Sequence, residues 1–113
     1  MSRNITPEQQ AEIQQLQQMS QQLNTLHQNY LQMESRKREV ERTLKTLEDL
    51  VDETEIYRSS GQILYKTDVS KTKSDLSEEI ELLEVRINRS KKQIEELDKR
   101  VKDRDAQLRA SIQ

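Results

Sequence analysis

The residues that could do chemistry are few and poorly grouped for it. His27 is the only histidine, and the chain has no cysteine. A lone imidazole lacks a second ligand for a metal and a partner for nucleophilic or acid–base catalysis. Without cysteine there is no disulfide framework and no thiolate site, which suits a reducing compartment. One glycine, Gly61, cannot build a phosphate-cradling loop. The basic clusters Arg36-Lys37-Arg38 and Arg89-Ser90-Lys91-Lys92 belong to a chain of net charge -2, with no aromatics interleaved. That argues against nucleic-acid binding. The carboxylates are spread along the chain at spacings that suit solubility and helical ion pairs. The residue types therefore point to no enzyme and to no metal or cofactor.

What remains is pattern. Hydrophobic residues make up 31% and aromatics 3%, while 35% are charged and Gly and Pro occur once each. Such a chain cannot fill a thick globular core and falls in the long-helix class. Its small net charge and regularly placed apolar residues separate it from disordered sequences. No apolar run is long enough to span a membrane, and the opening MSRNITPEQQ lacks a signal-peptide apolar region. A cytoplasmic protein that binds no membrane is the expectation.

Leu16, Met19, Leu23, Leu26, Tyr30, Met33, Lys37, Val40, Leu44, Leu47 and Val51 are spaced alternately by three and four. This is a heptad seam, interrupted only by Lys37. Thr6, Pro7 and Gln9 supply an N-cap, a first helical residue and a capping box, so the first helix is expected over residues 6–52. A second seam runs through Leu76, Ile80, Leu83, Ile87, Ser90, Ile94, Leu97, Val101, Arg104, Leu108 and Ser111, with a helix expected over 70–111. Asp68, Ser70, Thr72 and Ser74 are all possible caps for it. If paired residue numbers sum to 127, every a position meets a d position and Lys37 shares a layer with Ser90. The expected fold is mainly α: an antiparallel two-helix coiled-coil hairpin in one domain over 1–113. A dimer of separate rods is the alternative use of the same heptads.

Between the helices, residues 55–67 read as a short β-hairpin, with Ser60 and Gly61 at the turn centre. Tyr57 would then oppose Leu64 on one face, and Ile56 would oppose Tyr65 on the other, beside Ile63. A lone hairpin with apolar residues on both faces is marginal in water. It is expected to pair with hairpins of other subunits, the alternative being a self-contained connector. At the far ends of the helices, Ile5, Ile13, Leu16, Met19, Leu108 and Ile112 cluster where Arg104 and Ser111 interrupt the seam. A seam weakened in this way can open and offer apolar groups to another protein. Residues 9 to 33 hold ten glutamines and a single charge, Glu12.

The run Tyr57-Arg58-Ser59-Ser60-Gly61, then Ile63-Leu64 and Lys66, between a long helix and the stretch DLSEEIELLEVRI, resembles the prefoldin family. The single hairpin fits its beta class, most closely the archaeal form. The resemblance implies a heterohexamer of two alpha-class and four beta-class subunits. Their hairpins would join in an intersubunit β-barrel body, through Ile56, Tyr57, Gly61, Ile63, Leu64 and Tyr65 here. It implies an ATP-independent holdase that grips unfolded proteins at coiled-coil tips and passes them to a group II chaperonin. The contrasting possibility is an adaptor coiled coil whose hairpin serves assembly alone.

Overall fold

The computed structural model describes residues 4–112, so the outermost residues of the expected 1–113 domain lie outside the described residues. In order along the chain come α1 (Pro7–Leu47), β1 (Glu55–Ser60), β2 (Ile63–Asp68) and α2 (Val69–Ile112). Two long helices are thus joined through one short antiparallel hairpin. The chain divides into two compact units. One is Gln32–Ile87; the other combines the segment up to Leu31 with the segment from Asn88 onward.

α1 begins with a reciprocal capping box. The Gln9 backbone N–H donates to Thr6 Oγ1 at 3.1 Å, and the Thr6 N–H donates to Gln9 Oε1 at 3.0 Å. Pro7 takes the first helical position, where its missing N–H costs nothing. The helix ends at Leu47, five residues short of the expected end at 52. The sequence beyond, Glu48, Asp49, Asp52 and Glu53, would gather carboxylates at the negative end of the helix dipole. Val51, expected in the seam, is therefore outside the helix and 67% exposed.

The segment after α1 caps α2 instead. Val69 N–H donates to the Thr54 carbonyl and Ser70 N–H to the Asp52 carbonyl, both at 3.1 Å. Lys71 N–H donates to Asp68 Oδ1 at 2.7 Å. Three N–H groups that a helix start leaves unpaired are thereby satisfied. Asp68 is the cap among the four weighed from sequence, and α2 starts directly at the end of β2, one residue before the expected start at 70.

The hairpin turn lies at Gly61 and Gln62, not at Ser60 and Gly61. Gly61 has φ 60°, and no other described residue has positive φ. Positive φ at the first turn position alone is the type II′ pattern, whereas a type I′ turn centred on Ser60 and Gly61 would force Ser60 into positive φ. The register pairs Tyr57 with Lys66, Ile56 with Thr67, Arg58 with Tyr65 and Ser59 with Leu64. The correction is a shift of two residues, so each side chain keeps its expected face while its direct partner changes.

In the Gln32–Ile87 unit, Val40 and Leu47 of α1 cluster with Val69 and Leu76 of α2, and Leu44, Ile56 and Ile80 pack against them. Leu83 and Ile87 continue the buried face of α2. The seam of α2 therefore starts earlier than expected, at Val69 and Thr72. In the other unit, Ile13, Leu16, Met19, Leu23, Leu26 and Tyr30 are half-buried on α1. On α2, Ser90 and Leu108 are buried and Ile94, Leu97, Val101, Asp105 and Ile112 are half-buried. Arg104 and Ser111, expected in the seam, are exposed, and Asp105 and Ile112 stand in their place. A straight helix drifts against a strict heptad repeat, and two successive steps of four, from Leu97 through Val101 to Asp105, restore the buried face.

The helices pair in a register different from the expected one. Arg104 Nη1 donates to Gln15 Oε1 at 2.9 Å, and Gln9 Nε2 donates to the Ser111 carbonyl at 3.4 Å. In the hairpin-bearing unit Arg36 reaches Glu79 and Lys37 reaches Glu84. These partners' numbers sum to between 115 and 121, about one heptad from 127. A slip of one heptad leaves every a opposite a d, so the apolar pattern alone does not distinguish the two. The early end of α1 decides it. Lys37 consequently pairs with Glu41 and Glu84, while Ser90 lies in the other unit, opposite Tyr30 by register. Cysteines at Leu26 and Ile94 should form an intrachain disulfide readily on oxidation. Cysteines at Leu26 and Val101 should not, because seven residues displace the second by ~10 Å along the helix. The opposite order of yields, read by non-reducing electrophoresis, would restore the 127 register.

Candidate interaction surfaces

Alternation along the strands divides the hairpin into two faces. Ile56, Arg58 and Thr67 are half-buried on one, and Ile56 packs into the unit's own core. Farther along that face toward the turn, Ile63 is 66% exposed and Tyr65 also stands open. On the opposite face Tyr57 and Leu64 are 66% and 69% exposed, flanked by a Lys66–Glu55 ion pair at 3.0 Å. Four of the six residues expected to serve assembly thus present apolar surface. Gly61 shapes the turn, and Ile56 anchors the hairpin inward.

The hairpin is tied to the helices by charge that sequence reasoning did not pick out. Arg58 Nη1 lies 3.5 Å from Asp75 Oδ2 on α2. Below it, Arg36 donates through Nε and Nη2 to the two carboxylate oxygens of Glu79, at 3.1 and 2.9 Å. This two-point bond, chiefly, raises the Arg36 guanidinium above its ordinary pKa. Both side chains keep water contact, so the pair contributes at most about 1 kcal/mol and serves mainly to hold register. The expected 127 register put Arg36 far from Glu79, which hid the pair. A groove of about 460 Å³ runs between β1 and the helices, lined by Tyr57, Arg58, Val40 and Thr72 among others. The Thr72 hydroxyl there is buried without a hydrogen-bond partner.

The helix ends hold the second candidate set. Ile5 is 49% exposed ahead of α1. Ile13, Leu16, Met19 and Ile112 are half-buried along the seam, and Leu108 is buried within it. The closed seam offers Ile5 outright and the edges of the others; Leu108 becomes available only if the helices part. His27 is exposed beside Tyr30, ring centroids 6.2 Å apart. Among the described residues, no group of three or more His, Cys, Asp or Glu is placed to hold a metal. No described helix is long and apolar enough to cross a membrane. Leu82 and Val85, half exposed on the outer side of α2, were not singled out by their spacing.

Two long antiparallel helices that carry one β-hairpin between them define the class of this protein. A family model described as prefoldin subunit matches residues 10–113. The chain belongs to the prefoldin family. It is 32% identical over 109 residues to the prefoldin subunit beta of Thermococcus gammatolerans, covering 96% of this chain and 93% of that one. With the prefoldin subunit beta of Methanococcoides burtonii the identity is 35% over 112 residues, covering 99% and 96%. The crystal structure of the prefoldin beta subunit from Thermococcus strain KS-1 superposes with a TM-score of 0.82 at 31% identity. That match covers 99% of this chain and 98% of the other.

The turn geometry carries its own test. A Cβ at Gly61 would meet nothing within 4 Å, so substitution there costs backbone strain and no clash. Gly61→Ala should lower unfolding stability by about 1 kcal/mol, less for Gly61→Asn, as measured by chemical denaturation. Equal stability of all three chains would rule out a strained turn at this position.

Proposed function

We propose that this chain is a beta-class subunit of an ATP-independent chaperone that holds unfolded polypeptides. The observation that carries the reading is the hairpin. In a chain of the prefoldin family, Tyr57, Ile63 and Leu64 expose about two thirds of their surface on two opposite faces of a two-stranded sheet. Such a sheet has free edges and only one face partly covered, which favours pairing with other hairpins. In this reading two alpha-class and four beta-class subunits join their hairpins in a β-barrel body. The apolar helix ends, Ile5 with Ile13, Leu16, Met19, Leu108 and Ile112, grip clients together, each contact weak and the sum strong. Clients pass from there to a group II chaperonin. The work takes place in the cytoplasm, without a cofactor and without enzymatic chemistry.

The test joins assembly to holding. Mixed with an alpha-class prefoldin subunit, the chain should form a complex that suppresses aggregation of a chemically unfolded protein without ATP. Tyr57→Asp with Ile63→Asp places unpaired charges in the pairing surface, at a cost of several kcal/mol. Helicity should persist by circular dichroism while the complex, and with it the protection, is lost. A double variant that still assembles would mean those faces stay in water. A wild-type complex that assembles without protecting would leave an adaptor coiled coil.

A further inference from the structure

Along its N-terminal half, α1 changes character. From Ile13 to Met33 it carries no Asp, Glu, Lys or Arg, although 35% of the chain is charged. On this arm Gln18, Gln21, Gln22 and Thr25 line one side of a groove of about 780 Å³. Gln93, Glu96 and Arg100 of α2 line the other side. Leu26 and Leu97, half-buried in the seam, form the apolar floor. Gln15 Oε1 accepts from Arg104, but among the described residues no hydrogen bond occupies the amides of Gln18, Gln21 or Gln22. A face meant only for solvation works equally well with charged residues, which on α2 form ion pairs four residues apart, Asp98 with Lys102 and Asp105 with Arg109. Here that option is given up over six turns.

A primary amide has what a peptide unit has, a carbonyl acceptor and N–H donors. A row of them above an apolar floor matches one partner chemistry, an extended main chain whose side chains are of any charge. Gln18 to Thr25 covers ~10 Å of helix, the length of about three residues of extended chain. We infer that this groove binds the extended main chain of an unfolded polypeptide through the amides of Gln18, Gln21, Gln22 and Gln93. The inference rests on the client-holding reading and locates part of the grip on the flank of the coiled coil, in addition to its apolar ends. Uncharged amides, beside one residue of each sign in Glu96 and Arg100, favour neither acidic nor basic segments.

The experiment uses the full chain assembled with an alpha-class prefoldin subunit. The probe is dye-labelled α-lactalbumin, fully reduced and carboxymethylated, which stays unfolded. Its binding is read by fluorescence anisotropy. Gln18→Ala with Gln21→Ala and Gln22→Ala removes the amides without lowering helix propensity. Helicity and assembly should not change, and binding should weaken about tenfold. A photoreactive benzoylphenylalanine at position 22 should form adducts with the probe, and one at position 27, on the other flank of α1, should not. Undiminished binding by the triple variant, or equal adducts from both positions, would overturn the groove and leave capture at the apolar ends standing. A wild-type complex that does not bind the probe would overturn the holding reading itself, and the groove with it.

Discussion

Val69 is fully buried, and the architecture of the hairpin-bearing unit depends on that contact. It is the first residue of α2 and follows β2 without a linker. Its side chain belongs to one buried cluster with Val40, Leu47 and Leu76, and its N–H is held by the Thr54 carbonyl. Both helices, the returning strand and the loop after α1 therefore meet at one residue. Burying such a side chain is worth about 1.5–3 kcal/mol, but its larger effect is geometric. It sets where α2 begins, hence the pairing register, and it fixes the face of β1 that turns inward through Ile56.

Little apolar material is left once that cluster is made. Two helices in contact bury a seam and nothing more, and the hairpin has only one face partly covered. Ile56, Arg58 and Thr67 use the near part of that face. Tyr57, Leu64 and Ile63 stay about two thirds exposed, with little of the described chain over them. A sheet of two strands with apolar residues on both sides gains stability from neighbours or stays marginal. The separation of roles follows from composition: few apolar residues hold the monomer, and the remainder face outward.

Much of this was legible in the sequence. The helix start at Thr6 and Pro7, the seam from Leu16 to Leu47, and the hairpin and its faces came from spacing and residue type, and the prefoldin resemblance from the particular run around Gly61. The register did not, because heptads repeat and a slip of seven residues satisfies them equally. The break after Leu47 was concealed by Val51, which continues the spacing of three and four although four carboxylates around it disfavour the helix. The turn was displaced because Gly61 fits a centre on either side of it, and only the backbone shows that it stands first. Val69 and Thr72 continue the α2 seam upstream at steps of three and four, a signal masked by the run of possible caps from Asp68 to Ser74. Arg58–Asp75 and Arg36–Glu79 were out of reach, since long-range ion pairs become visible only once the register is known.

The central claim is that the hairpin's free edges and open faces are covered by other subunits. Hydrogen–deuterium exchange measures this directly. Backbone amides of Glu55–Ser60 and Ile63–Asp68 should exchange quickly in the isolated chain wherever they point away from the β1–β2 ladder. In the complex with an alpha-class prefoldin subunit the same amides should slow by at least ~100-fold, as expected for N–H groups taken into a new ladder. Unchanged exchange at these amides in a complex of proven stoichiometry would mean that assembly proceeds elsewhere on the molecule, and would contradict the claim.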